Sequence, residues 1–220
     1  SSKTETELFD CDRVSFGMRC VKSAQTLKHS IEFSTAWRHI YNFDEYVSIN
    51  QRKLSGHHLT NCVSYTLMND GRDDKILPTT GELWKGKFEL FGPIGKFSAL
   101  KSEIVLQKSS PILWNYSFIS SLRIGHLVKF NDHFSYPNEQ FNLGGPNSVR
   151  GFKNNSLGPR ERNIPIGGKY LAEISCNLVS PYLNNNRIAR FHTFFNSGYI
   201  SNGAQGHLYS SAGVGVQGNI

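Results

Sequence analysis

From Leu27 to Arg38, every second side chain belongs to one set: Leu27, His29, Ile31, Phe33, Thr35 and Trp37. The side chains between them are Lys28, Ser30, Glu32, Ser34, Ala36 and Arg38. A strand turns successive side chains to opposite faces, so each set lines one face of a sheet. The same period runs through 12–21, where Val14, Phe16, Met18 and Cys20 alternate with Ser15, Gly17 and Arg19. It returns in 113–125, where Trp114, Tyr116, Phe118, Ser120, Leu122 and Ile124 oppose Leu113, Asn115, Ser117, Ile119, Ser121 and Arg123. Further segments are expected at 58–69, 82–91, 97–107, 168–179, 188–197 and 208–218, with Tyr46–Gln51 as a weak tenth. No segment carries a helical period, and the chain is predicted to be all-β.

Length then separates the all-β options. Ordinary strands run about 5–6 residues, whereas several of these segments sustain alternation for nine to twelve. Strands crossing a bilayer at a tilt need about 9–11 residues. The second face carries Lys28, Glu32 and Arg38 on one segment, Lys85, Lys87 and Glu89 on another, and Lys169, Glu173 and Asn177 on a third. In a soluble sandwich such a face meets solvent; in a large barrel it meets a wet lumen. Both readings fit the pattern. The chain has 220 residues, 38% of them hydrophobic and 19% charged, which excludes a disordered tail or a disulfide-dense miniature. Its longest apolar run is three residues, as in Ile112-Leu113-Trp114, against the roughly 20 that a spanning helix needs. Residues 1–30 also hold no apolar core of a signal peptide. Neither fact excludes a β-barrel, which crosses with alternating residues.

A net charge of +7 suits nucleic acid, anionic lipid or an acidic protein. The basic residues are scattered, with no run beyond Arg52-Lys53, so no nucleic-acid partner is expected. Cys11, Cys20, Cys62 and Cys176 lack any metal-ligand spacing; Cys20, Cys62 and Cys176 fall in strand-like segments and read as free, apolar-face thiols rather than disulfides. His57-His58 reads as an exposed pair where a strand begins. No GxSxG, HExxH or GK[ST] string is present. No enzyme activity, catalytic residue, metal or cofactor is therefore expected.

Short turns are expected at Lys22–Gln25, Phe91–Gly95, Ser109–Pro111 and Asn184–Asn186. By contrast, residues 126–167 form a stretch of about forty without sustained alternation. A loop this long inside a compact domain is normally functional. It contains Phe141-Asn142-Leu143 and then Gly144-Gly145-Pro146-Asn147-Ser148-Val149-Arg150-Gly151-Phe152, followed by Leu157-Gly158-Pro159-Arg160. Gly144-Gly145-Pro146 sets a tight turn, since glycine permits positive φ and proline fixes φ. Gly151 is expected to let the backbone approach a wall, with Arg150 projecting beside it and Phe152 as an apolar anchor.

The string GGPNSVRGF resembles the sixth-loop signature of the outer-membrane assembly-factor superfamily, also called the bacterial surface antigen family. Two further stretches are similar to that family. One is Asn69-Asp70-Gly71-Arg72-Asp73-Asp74 through Leu77-Pro78-Thr79-Thr80-Gly81; the other is Arg190-Phe191-His192-Thr193-Phe194-Phe195-Asn196-Ser197-Gly198. The regions from Gly56 to Gly81 and from Phe141 to Gly168 look most similar to the mitochondrial sorting and assembly machinery members. The resemblance covers nearly the whole chain.

The resemblance implies a sixteen-stranded transmembrane antiparallel β-barrel that inserts β-barrel precursors into an outer membrane, mitochondrial by closest resemblance and otherwise bacterial or plastid. It implies the lipid bilayer, β-barrel precursor proteins and other assembly-machinery subunits as partners. Against that pattern, the chain reads as a single partial barrel domain over 1–220, with no POTRA module in front and with the terminal strands missing. A passive or ligand-binding barrel, or a soluble sandwich, is the alternative. Within the motifs, Arg150 matches the family arginine that points into the lumen towards acidic or polar groups. Those positions here look like Asn177 and Asn196, and Glu173, four residues before Asn177, is a substitute by parity, so an Arg150–Glu173 pair is expected. Gly144, Gly145, Val149, Gly151 and Phe152 complete the loop motif. Asp70, Arg72, Asp73, Pro78 and Gly81 are expected to stabilise a turn.

Overall fold

A computed structural model describes residues 10–42, 52, 55–76, 78–92, 98–130, 139–161, 164–181 and 189–218. Nine long strands account for the alternating segments. They are β1 (Asp10–Ala24), β2 (Leu27–Tyr41), β3 (Gly56–Asp70), β4 (Gly81–Phe91), β5 (Ala99–Pro111), β6 (Ser117–Lys129), β9 (Tyr170–Val179), β10 (Ala189–Ser201) and β11 (Gly206–Gly218). Two short strands, β7 (Arg160–Glu161) and β8 (Ile164–Pro165), form their own pair inside the long loop. The nine lie side by side in chain order and are all antiparallel, from β1 at one edge to β11 at the other. The sheet is open within this chain. The weak tenth segment, Tyr46–Gln51, and the Asn184–Asn186 turn fall outside the described residues.

Register fixes which side chains share a face. Trp37 pairs with Leu59, Phe33 with Val63 and Ile31 with Tyr65. Further along the same face come Trp84 opposite Leu106, Ile124 opposite Ala172, and Phe191 opposite Val216. Val14, Phe16, Phe33, Ile104, Ile124, Phe195 and Val214 are all exposed. The opposite face carries the charges: Lys87 holds Glu89 at 2.7 Å, and Arg123 holds Glu103 at 2.5 Å and Glu173 at 3.5 Å. A sheet with apolar side chains exposed on one face and ion pairs on the other is inverted relative to a soluble sandwich.

The buried apolar core lies on the charged face, and the long loop builds it. Phe141, Leu143, Val149 and Leu157 cluster there with Ile40 of β2, Phe91 of β4, Ala99 of β5, Leu127 of β6, Leu171 of β9 and Ile200 of β10. The loop is thus seated in the interior. The expected loop bounds, 126–167, overlap the wall, because His126–Lys129 still pair with β5, and β9 begins at Tyr170.

Other details differ from the sequence reading. Leu113–Asn115 form a 3-10 turn rather than the start of a strand, with Trp114 and Asn115 at φ 59° and 61°. Ser109–Pro111 belong to β5, since they pair with Ser117–Ile119. Cys20 and Cys176 follow the apolar parity, but Cys62 sits opposite Phe91 and Ser34 on the charged face. As expected, His57 is exposed where β3 begins, and it stacks on Trp37 and His39 with centroids 4.9 and 4.2 Å away, whereas His58 is half-buried.

Candidate functional site: the inward loop and its wall

The loop closes on itself before it meets the wall. Phe141 and Gly168 exchange two backbone hydrogen bonds of 3.0 and 2.9 Å, and the Leu157 N–H donates to the Leu143 carbonyl at 3.1 Å. Between these ties, Gly144 and Gly145 stand at φ 104° and 114°, in the region open to glycine at no steric cost. The Ser148 N–H donates to the Gly145 carbonyl at 3.1 Å and the Gly145 N–H to the Val149 carbonyl at 3.3 Å, which completes the tight turn predicted there.

Two wall positions are shaped to receive it. A Cβ at Gly125 of β6 would overlap the Phe141 ring. One at Gly198 of β10 would lie 2.7 Å from Leu143 Cδ1 and 2.9 Å from Val149 Cγ2. Gly125 and Gly198 are therefore sockets for loop side chains. Gly151 works differently from the expectation. A Cβ there would meet nothing within 4 Å, and its φ of 87° is what favours glycine. Phe152 does touch the wall, edge-on to Tyr209 of β11 at 6.0 Å, but it stays 37% exposed. The buried anchors are Phe141, Leu143, Val149 and Leu157.

Arg150 reaches the wall at β10. Its Nη1 lies 3.1 Å from His192 Nε2, its guanidinium sits 4.7 Å over the Phe194 ring, and its Nε donates to the Pro146 carbonyl at 3.3 Å. The Arg150–Glu173 pair expected from parity is not formed, because the Glu173 carboxylate is held by Arg123, its register partner on β6. Asn196 Nδ2 donates to the Ser148 carbonyl, so this residue anchors the loop backbone rather than the arginine. Asn177 faces the same cavity, opposite Phe194. His192, Phe194, Gly125, Leu143 and Leu157 were not singled out by the sequence reading. For Gly125, His192 and Phe194 the available signal is inward parity on β6 and β10; the loop leucines carry no such signal.

The turn motif folds into the same space. Asp70 accepts from Arg72 Nε at 2.8 Å and Nη2 at 2.9 Å, and Arg72 Nη1 reaches Gln107 of β5 at 3.2 Å. Asp73 accepts the backbone N–H groups of Asp74, Thr79 and Thr80 at 2.9, 2.9 and 3.1 Å, and the Thr79 hydroxyl as well. Asp73 is exposed, and although desolvation opposes its charge, these donors hold its carboxyl down at about 2. Gly81, at φ 103°, packs so closely on the backbone that a Cβ would lie 2.8 Å from the Arg72 Cα. Pro78 is buried. Arg72 and Pro78 line one cavity of about 430 Å³ with Pro146, Arg150, Glu173, Asn177 and Asn196. The two motifs, some seventy residues apart in sequence, meet in the lumen. Among the described residues no group of His, Cys, Asp or Glu is placed to hold a metal.

An antiparallel wall with an apolar outside, a charged inside and an inward-docked Gly-rich loop defines a membrane β-barrel of the outer-membrane type. The comparisons specify the family. The Omp85 superfamily domain matches residues 2–219, and the chain belongs to that superfamily. It is similar to the Sorting and assembly machinery component 50 homolog of Mus musculus, 33% identical over 181 residues, 79% of this chain and 39% of the relative. The SAM50-like protein of Schizosaccharomyces pombe is 32% identical over 182 residues, 80% of this chain and 38% of the relative. The chain thus spans about two fifths of the length of these curated relatives. The crystal structure of BamA from Haemophilus ducreyi lacking POTRA domains 1-3 superposes with a TM-score of 0.80 at 14% identity, covering 96% of this chain and 48% of that one. This likeness shows the barrel fold.

Proposed function

We propose that this chain forms the loop-bearing part of a β-barrel insertase of the mitochondrial outer membrane. In this reading the whole protein carries β-barrel precursors into the bilayer without bond chemistry, alongside other assembly-machinery subunits. The observation that carries the reading is the loop docked on the lumen wall through Gly125, Gly198, His192 and Asn196. Similarity to relatives named for sorting and assembly supports the same class. In lipid every backbone polar group needs a partner. A barrel that offers a strand edge to an incoming strand supplies those partners during insertion. The loop and the turn motif keep the lumen wall in shape while the edge elsewhere in the barrel works.

The experiment is depletion of the full-length protein, with the abundance of other outer-membrane barrels as readout. Their levels are expected to fall, to recover with the wild-type protein, and to recover only in part with Arg150→Ala. Unchanged levels on depletion would establish a passive barrel instead.

A further inference from the structure

The turn between β5 and β6 exposes a run of large apolar side chains. Leu113 is 80% and Trp114 is 85% exposed, and Ile112 beside them is also exposed. A tryptophan at positive φ is unfavourable, because its Cβ crowds the following carbonyl. Here both Trp114 and Asn115 adopt it, in a turn closed by the Ile112 N–H donating to the Tyr116 carbonyl at 2.8 Å. This backbone holds two large apolar side chains away from the rest of the protein.

The surroundings say what meets them. On β4 and β5 the outer face changes from Trp84 opposite Leu106 to the exposed ion pair of Glu82 and Lys108. On the other side of the turn the outer face stays apolar to the strand ends: Phe118 pairs with Leu178, and Phe191 with Val216. The boundary between apolar and charged outer surface therefore crosses the sheet obliquely, as expected for strands tilted about 35–45°. On β5 it falls between Leu106 and Lys108, and on β6 it lies beyond Phe118, beside the β5–β6 turn. Tryptophan is enriched at that level of a bilayer because its ring is apolar and its N–H is polar. The neighbouring β3–β4 turn at the same end does the opposite: Ile76, equally exposed, lines the lumen cavity.

We propose that Ile112, Leu113 and Trp114 form an interfacial anchor lying in the headgroup–acyl boundary of the bilayer. The inference rests on the membrane reading above. It assigns the partner of this surface as lipid, and it fixes the height of this part of the barrel in the membrane.

The test uses the full-length protein with its native cysteines replaced, reconstituted in phosphatidylcholine vesicles. Single cysteines at Leu113, Ile76 or Ile104 carry an environment-sensitive fluorophore. At Leu113, nitroxide lipids labelled near the headgroup are expected to quench several-fold more than lipids labelled near the chain end. Iodide is expected to quench it several-fold less than at Ile76. At Ile104, midway along the outer face, chain-end quenchers dominate. Iodide quenching at Leu113 equal to that at Ile76 overturns the proposal. So does protection from both quenchers, which would mark a protein partner on the turn. Loss of lipid quenching at Ile104 overturns the membrane reading itself, and the anchor with it.

Discussion

Arg150 and His192 meet across the lumen interface at 3.1 Å, with the imidazole Nε2 in the position of acceptor for the guanidinium. A cationic guanidinium can donate only to the neutral ring, so this histidine, and not Glu173, Asn177 or Asn196, is the wall partner of Arg150. A charge-assisted hydrogen bond contributes about 1.5–3 kcal/mol, and the face of Phe194 adds about 0.5–1 kcal/mol. Loss of Arg150 to Ala is expected to cost the docked loop about 2 kcal/mol. The check is hydrogen exchange of the 144–152 amides, which should speed up roughly thirtyfold. Replacing His192 with Asp is expected to slow that exchange below the wild-type rate.

The sockets give a sharper steric prediction. Gly198→Ala places a methyl 2.7 to 2.9 Å from Leu143 and Val149, both fully buried. Overpacking of this kind costs about 1–3 kcal/mol. Protease sensitivity of the loop is expected to rise in Gly198→Ala and to fall back when Leu143→Ala is added, because the second change vacates the space. Additive effects of the two substitutions would show that the socket does not hold Leu143.

Acid should loosen the turn motif through Asp73. Its folded carboxyl titrates at about 2, below the ordinary value of about 3.9. A depressed carboxyl stabilises the fold fully above about pH 4, and that contribution is lost as pH falls towards 2. Exchange of the Thr79 and Thr80 amides is expected to show no protection change between pH 6 and 8 and a progressive loss below 4. Asp73→Asn should weaken protection of the same two amides already at neutral pH.

Glu139, at the entry to the loop, pairs with Arg38 of β2 at 2.7 Å, and both are buried. Breaking a buried pair from one side costs about 3–5 kcal/mol, because a charge is left without its counter-charge. Glu139→Gln is expected to lower the thermal midpoint of the reconstituted barrel. The charge-swapped double variant, Arg38→Glu with Glu139→Arg, should recover part of the loss.

The sheet was legible because its signal is local. Period-2 alternation states which residues share a face, and eight of nine strands start within two residues of the predicted segments. The exception is β6, where Leu113–Tyr116 keep the alternating pattern but fold as a turn with Trp114 and Asn115 at positive φ. The loop motif was legible as a string, but its partners were not. Arg150 takes His192 rather than Glu173 because Arg123 already occupies that carboxylate across the β6–β9 register. Strand parity alone does not report such prior commitments. Gly151 misled in a similar way: a glycine needed for its φ and a glycine needed for close approach look identical in sequence, and Gly198 was the one pressed against a neighbour.

Ile40 on β2 and Ile200 on β10 belong to the same apolar cluster, although six strand spacings separate them along the sheet. At about 4.8 Å each, that arc is roughly 29 Å long. The loop is the chord across it, and a chord sets a radius. Flattening this sector would strain the cluster and the Arg38–Glu139 pair that ties β2 to the loop. Any breathing of the barrel must therefore be taken up outside the sector, or begin with release of the chord.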